Sequence, residues 1–389
     1  MKKRFIFLLV SINLVLSIET EAQTATFNIT YNGFTTQAQT AFQFAADQWG
    51  NTVVSSIPIK INVYFTPLIP GLLGITFPNG ELNFAAAPLA DTWYSTALAN
   101  ALSAAELNPG EMDIDVYLNS AANWYYGLSG TVPPAQYDLV TVALHEITHG
   151  LGFVGLAKKT GSDGSFGLLL ASDFAPLTTS FPWPDLDTLP SAFDRLSVNN
   201  LDQPLDTFTN PGAALGAQFT GQNIFSDGPF AVAANSGIKP KIYAPSTFAL
   251  GSSMVHLDEA TYPAGNINEL MTPSSTPGNA NHNPGPITLG ILKDIGWTLN
   301  PALEINENHA DYPITLYPNP VKNILSIAHL PASVTNAVIT IDDVSGRELS
   351  VSRVFNSDKT LDVSDFKPGF YLFTLTSGNE VLRASFIKN

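Results

Sequence analysis

The chain has 389 residues, 45% hydrophobic and 11% aromatic, which excludes a disordered protein and provides for a sizeable core. Its formal net charge is −16 with only 13% charged residues, so neither nucleic acid nor an anionic membrane surface is an expected partner. Cysteine is absent, which excludes disulfides, cysteine-ligated zinc and a thiol nucleophile.

The first 22 residues are typical of a secretory signal peptide. A basic start at residues 2–4 precedes an apolar run over residues 5–18, and Thr20 and Ala22 provide the small residues before a cleavage site. The apolar run is too short to predict a membrane-spanning helix, and the mature protein is expected to have no membrane span. The alternative is an N-terminal membrane anchor.

Strand and helix patterns alternate after the signal peptide. Alternating apolar residues predict strands, and apolar residues at spacings of three and four predict helices. The predicted strands cover residues 26–30, 57–65 and 112–118, and the predicted helices cover residues 36–54, 94–107, 139–150 and 287–299. Asp138 is a candidate N-cap for the helix over residues 139–150.

Composition divides the rest of the chain. Residues 155–250 are rich in Pro, Gly, Ser, Asn and Asp, which predicts a loop-rich insertion. Residues 300–314 interrupt all periodicity and predict a linker. Residues 315–389 contain short strand patterns separated by turns, which predicts a small all-β sandwich. The expected organisation is a signal peptide over 1–22, a main domain over 23–299, the linker and the sandwich.

The strongest chemical signal is His145-Glu146-Ile147-Thr148-His149, which lies in a predicted helix. Residues four apart share one face of a helix, so both imidazoles can bind one metal ion. Glu146 lies beside them and is the candidate catalytic residue. As a general base it would take a proton from a metal-activated water that attacks a peptide carbonyl. The alternative is a helix that carries two surface histidines by chance.

Residues 145–153, with the sequence HEITHGLGF, resemble the extended metal-binding helix of metzincin peptidases. In that pattern a glycine three residues after the second histidine turns the chain, and Gly152 occupies this position. Most metzincins place a third histidine three residues further on. This chain has Gly155 there, which cannot bind a metal.

Leishmanolysin-like peptidases and their bacterial relatives have an insertion between that glycine and the third histidine. Residues 251–258 (GSSMVHLD) and 268–273 (NELMTP) resemble the segments with which such chains resume. The resemblance implies that His256 is the third ligand, that Met271 forms the methionine turn beneath the metal, and that residues 155–250 are the insertion. The other candidates for the third ligand are Asp258, Glu259, His282 and His309.

The resemblance implies an α+β fold: a mixed sheet with a helix behind it, the active-site helix and an irregular lower subdomain. It also implies a secreted zinc-dependent endopeptidase that uses Zn²⁺, acts on protein or peptide and binds the metal through His145, His149 and His256. Two rival hypotheses are a catalytically silent surface adhesin and a glycan-binding protein with a structural metal.

The C-terminal module carries a second resemblance. Residues 316–321 (LYPNPV), followed by residues 325–327, 343–347, 361–363 and 369–372, resemble the C-terminal sorting domain of type IX secretion cargo in Bacteroidota. This resemblance implies the type IX secretion machinery as a partner, passage through the periplasm, and a secreted or cell-surface location. The alternative is an accessory β-sandwich that binds carbohydrate.

Overall fold

The computed structural model describes residues 24–177, 187–300, 315–328, 336–343, 348–355, 360–377 and 380–389. The chain forms two compact units, Met1–Asn300 and Pro301–Asn389. The predicted signal peptide over residues 1–22 and the predicted linker beyond Asn300 lie outside the described residues.

The first part of the larger unit builds a mixed sheet. Its elements are β1 (Phe27–Asn32), α1 (Thr36–Thr52), β2 (Ile59–Thr66), β3 (Gly74–Pro78), β4 (Gly80–Leu82), β5 (Trp93–Ser95), α2 (Thr96–Ser103), β6 (Ile114–Asn119), β7 (Trp124–Tyr125), β8 (Tyr137–Asp138) and α3 (Leu139–Gly150). The main sheet has the order β1-β2-β6-β3. The first three of these strands are parallel, and β3 is antiparallel to β6. Among the described residues β3 pairs only with β6 and so lies at the edge of the sheet.

Alternation along β2 explains which face of this sheet forms the core. Ile59, Ile61 and Val63 are buried, whereas the residues between them are only partly buried. Helices α1 and α3 share the core with these side chains. The two helices are also joined by a buried hydrogen bond, which the indole N–H of Trp49 donates to the carbonyl of Leu144 over 3.1 Å. Helix α3 is therefore fixed behind the sheet.

The segment after α3 consists of loops and short elements. These are β9 (Ala157–Thr160), β10 (Asp163–Phe166), β11 (Ser197–Asn199), α4 (Ala213–Gln218), β12 (Ile224–Ser226), α5 (Pro229–Ala234) and β13 (Lys241–Ile242). β9 pairs with β10, and β12 lies between β11 and β13. Phe166, Phe219 and Ile242 are buried in the same core as α1 and α3, so this segment extends that core. α6 (Pro286–Ile295) follows and packs against α5.

The smaller unit contains β14 (Thr315–Tyr317), β15 (Ile324–Ala328), β16 (Asn336–Asp343), β17 (Glu348–Phe355), β18 (Thr360–Asp362), β19 (Gly369–Ser377) and β20 (Glu380–Lys388). In the described residues these strands form two antiparallel sheets, β14-β15-β18 and β17-β16-β19-β20. Leu325 and Ile327 of one sheet share a buried core with Ile339 and Phe373 of the other, as in a β-sandwich.

The structure differs from the sequence prediction at several elements. The predicted helix over residues 94–107 starts instead with strand β5, and α2 ends where Ala104 adopts a left-handed φ of 48°. The predicted helix over residues 287–299 stops at Ile295, because Gly296 has a φ of 124°. Strand β3 was not predicted at all. No helix in the described part of the chain combines the length and apolar character needed to cross a membrane.

Candidate metal centre

The N-terminus of α3 is fixed by a buried carboxylate. Asp138 is fully buried, and its Oδ2 atom accepts hydrogen bonds from the main-chain N–H of Thr141 at 2.8 Å and from the hydroxyl of Thr141 at 2.7 Å. The predicted N-cap is therefore confirmed. His282 Nε2 lies 2.7 Å from the same oxygen, so a later segment of the chain is tied to the start of the helix.

Three imidazoles meet in front of this helix. The Nε2 atom of His149 lies 3.0 Å from that of His145 and 3.2 Å from that of His256. The Nε2 atoms of His145 and His256 are also 3.2 Å apart. The structure thus brings together the three histidines that the sequence analysis named, although His149 and His256 are 107 positions apart in the sequence.

The opposite ring nitrogens show how each imidazole is oriented. The Nδ1 atoms of His145, His149 and His256 lie 2.7, 2.7 and 2.8 Å from the main-chain carbonyls of Leu270, Phe153 and Ser252. A carbonyl can only accept a hydrogen bond, so each Nδ1 carries the proton and each Nε2 presents a lone pair. Three lone pairs at this separation repel each other unless a cation lies between them.

Burial keeps these imidazoles neutral. It lowers the pKa of His145 to about 4 and that of His256 to about 3, and it lowers the pKa of His149 well below its ordinary value. The neighbouring histidines lower the pKa of His149 and His256 further. Near neutral pH the rings are therefore in the form that binds metal.

The donor set fits a divalent transition metal. Nitrogen ligands of a tetrahedral zinc, each about 2.0–2.1 Å from the metal, lie about 3.3–3.4 Å from one another. The observed separations of 3.0–3.2 Å are close to this value. Three neutral imidazoles also suit several other transition metals, so the geometry indicates the candidate ligands but does not single out zinc.

The two glycines after α3 have different roles. Gly152 has a φ of 111°, which allows the chain to turn away from the helix. A Cβ atom at Gly155 would lie 2.5 Å from the carbonyl oxygen of Met254 and 2.8 Å from Oδ1 of Asp194. The segment that carries His256 therefore passes where a side chain at position 155 would be.

The segment around Met271 also supports the histidines. Met271 is fully buried, and its carbonyl accepts a hydrogen bond from the main-chain N–H of Leu257 at 2.7 Å. The carbonyl of Leu270 contacts His145. One short turn thus connects the residue after His256 to the imidazole of His145.

The other candidate ligands lie elsewhere or have other partners. Asp258 accepts hydrogen bonds from the N–H and hydroxyl of Thr261, at 3.0 and 2.6 Å. His282 is bound to Asp138. Glu259 lines the cleft but does not belong to the three-histidine cluster, and His309 lies outside the described residues.

Glu146 lies in the same cleft, which has a volume of about 950 Å³. Its side chain is only 4% exposed, and its Oε2 atom accepts a hydrogen bond from the hydroxyl of Thr76 at 2.6 Å. Burial raises the pKa of Glu146 to about 8, and the bond from Thr76 acts in the opposite direction.

Sequence reasoning missed this contact because it missed β3. Apolar and polar side chains do alternate over residues 75–77, and the apolar positions carry a β-branched and an aromatic residue. Turn residues flank this segment at Pro70-Gly71 and at Pro78-Asn79-Gly80. That signal is short but was available. The pairing of Thr76 with Glu146, 70 residues away, has no signal in a single sequence.

Comparison with known proteins identifies the C-terminal module. Residues 315–389 match the family described as Secretion system C-terminal sorting domain. The predicted sorting domain is thereby confirmed, and the chain is cargo for export that is secreted or held at the cell surface. The type IX secretion machinery is a partner of this domain.

The larger unit has matches without a described activity. Residues 97–164, which include α3, match a family described as SPBPB7E8-like. An uncharacterized protein of Schizosaccharomyces pombe is 36% identical over 164 residues, which is 38% of this chain and 27% of the relative. The chain therefore spans about a quarter of the length of that relative.

The His256→Ala variant tests the ligand set. It should lose stoichiometric metal binding, because only two of the three converging imidazoles remain to bind the ion. His282→Ala is the matched control: it should keep the metal while lowering the free energy of unfolding by about 1–3 kcal/mol, since Asp138 loses a partner. Metal content after dialysis and denaturant unfolding measure the two effects. Full metal binding by His256→Ala would contradict the assignment.

The pKa of Glu146 gives a second prediction, for the metal-free protein in chelator. Burial raises this pKa from an ordinary value of 4.5 to about 8, so between these values the folded state holds more protons than the unfolded state. Its stability therefore falls as the pH rises through this window. Glu146→Gln removes this titratable group. The unfolding temperature of the variant minus that of the wild type should therefore be higher at about pH 9 than at about pH 5. If the two proteins differed in unfolding temperature by the same amount at both pH values, burial would not raise the pKa of Glu146.

Export provides a third prediction. A chain that ends at Asn300 retains the larger unit and should keep its metal, yet it should remain inside the cell envelope because the sorting domain is missing. Immunoblots of culture medium, cell surface and periplasm in the native host would locate it beside the full-length protein. Truncated protein outside the outer membrane would show that export does not need this domain.

Proposed function

We propose that the protein is a secreted zinc-dependent endopeptidase of the metzincin type. His145, His149 and His256 would hold the zinc and Glu146 would be the general base. The observation that carries this proposal is the convergence of three neutral imidazoles beside a buried carboxylate in one cleft. These are the groups that metal-assisted hydrolysis requires.

The edge strand beside the site supports a peptide substrate. Leu73 accepts a main-chain hydrogen bond from β6, and Asn79 donates one to the residue that precedes β6. Because such bonds alternate along an antiparallel pair, the N–H and C=O groups of Gly74 and Thr76 point away from β6. In the described part of the chain no strand covers this side of β3, and an extended peptide can pair with such an edge.

The chemistry then follows from the position of Glu146. A zinc ion held there would act as a Lewis acid toward water and the scissile carbonyl. The carboxylate of Glu146 would accept a proton from the attacking water and pass it to the leaving nitrogen. A nearby cation also favours the ionised carboxylate and so opposes the rise in pKa that burial causes.

The open cleft favours catalysis over a structural metal. Structural zinc sites are normally closed by four protein ligands. Here three imidazoles meet at the wall of a large cleft that also contains Glu146, and in the described residues no further carboxylate or histidine joins the cluster. This arrangement supports the enzyme over the adhesin and glycan-binding hypotheses.

Glu146→Gln tests the proposed reaction. The variant should keep its metal, since the three imidazoles are intact, and should lose about 10²- to 10⁴-fold in hydrolysis because the general base is gone. Metal analysis and cleavage of a quenched fluorescent peptide library measure the two properties. If the wild type cleaves peptides and the variant is equally active, Glu146 is not the base. If the wild type cleaves no peptide, the protein is not a peptidase.

A further inference from the structure

Two residues on one face of β3 contact the carboxylate of Glu146. The hydroxyl of Thr76 donates to Oε2 at 2.6 Å, and Gly74, two residues earlier, lies directly against the same side chain. We propose that β3 positions Glu146 for proton transfer, with Thr76 as a positioning residue and Gly74 as the space that the carboxylate requires. The proposal rests on the proposed function of Glu146 as the base.

Thr76 restricts a side chain that is otherwise free to rotate. A glutamate has three rotatable side-chain bonds, and fixing one carboxylate oxygen removes most of their freedom. Glu146 is only 4% exposed, so solvent cannot easily replace the hydroxyl of Thr76. The bond engages Oε2, so Oε1, the carboxylate oxygen nearest Gly74, would take the transferred proton.

Gly74 acts through size alone. A Cβ atom built on Gly74 would lie 2.8 Å from Cδ of Glu146, closer than such atoms approach in proteins. The φ of Gly74 is outside the left-handed region, so an alanine there has no backbone penalty. Gly74→Ala would therefore displace the carboxylate without straining the strand.

The chain before Gly74 is held by Asn119, at the end of β6. Its side-chain Nδ2 donates to the carbonyl of Leu72 at 2.7 Å, and its Oδ1 accepts from the N–H of Leu68 at 3.1 Å. Its main-chain N–H donates to the carbonyl of Leu73 at 2.9 Å. β3 is thus fixed to the sheet at its start, and the strand that would pair with a peptide is the strand that holds the base.

The kinetic test compares Thr76→Val, which removes the hydroxyl at nearly constant shape, with Thr76→Ser, which keeps it. Thr76→Val and Gly74→Ala should lower kcat by about 10- to 100-fold while KM stays within about threefold. Thr76→Ser should keep kcat within about threefold of the wild type, and Thr30→Val, at an exposed position of β1, should be unchanged. All variants should bind the same amount of zinc.

A second measurement needs neither metal nor substrate. A double-mutant cycle compares the thermal unfolding, in chelator, of the wild type, Thr76→Val, Glu146→Ala and the double variant. Thr76→Val should lower the unfolding temperature in the wild-type background and clearly less in the Glu146→Ala background, because the bond is already absent there. Additive effects would show that the contact does not exist in solution.

The outcomes separate the two proposals. Suppose that the wild type cleaves peptides. The positioning role is then overturned if Thr76→Val keeps full kcat, or if Thr76→Ser is as impaired as Thr76→Val, and in both cases the peptidase proposal stands. A zinc-loaded wild type that cleaves no peptide overturns the proposed function and the positioning role with it. Both proposals are supported if the thermal cycle shows coupling between Thr76 and Glu146, Thr76→Val loses kcat, and Thr76→Ser retains it.

Discussion

Three neutral imidazoles direct their Nε2 lone pairs at one another in front of helix α3, and the surrounding segments keep them in this repulsive arrangement. The Nε2 atoms are 3.0–3.2 Å apart, a distance at which three acceptors repel. The fold holds them there through carbonyl acceptors on three separate segments, Leu270, Phe153 and Ser252, and through burial that prevents protonation. A cation bound between the rings would remove the repulsion, so metal binding would also stabilise this unit.

The long segment between His149 and His256 contributes in two ways. It brings the chain back across Gly155, whose missing side chain leaves room for the carbonyl of Met254. It also supplies part of the cleft wall, since Leu169 and Phe174 line the cleft that contains the histidines. This segment, which looks irregular in sequence, therefore leads the chain back to His256 and shapes the space in front of the three imidazoles.

Local patterns in the sequence predicted two of the three histidines and the helix cap, whereas contacts between distant segments leave no local pattern. His145 and His149 follow from a spacing of four on one helix, and Asp138 follows from its position before that helix. His256 has no such local pattern, and only the resemblance of its flanking residues pointed to it. Thr76 was missed because β3 is short and because its partner lies 70 residues away. The sorting domain was predictable since its motifs are contiguous, and residues 315–389 match that family.

If the three imidazoles hold one metal ion, X-ray absorption on the full-length protein, purified from its native host without added metal, can identify that ion and count its ligands. We expect one zinc per chain with three imidazole nitrogens at about 2.0–2.1 Å and one oxygen ligand. A chain without stoichiometric transition metal, or a bound metal coordinated mainly by carboxylates, would contradict this expectation.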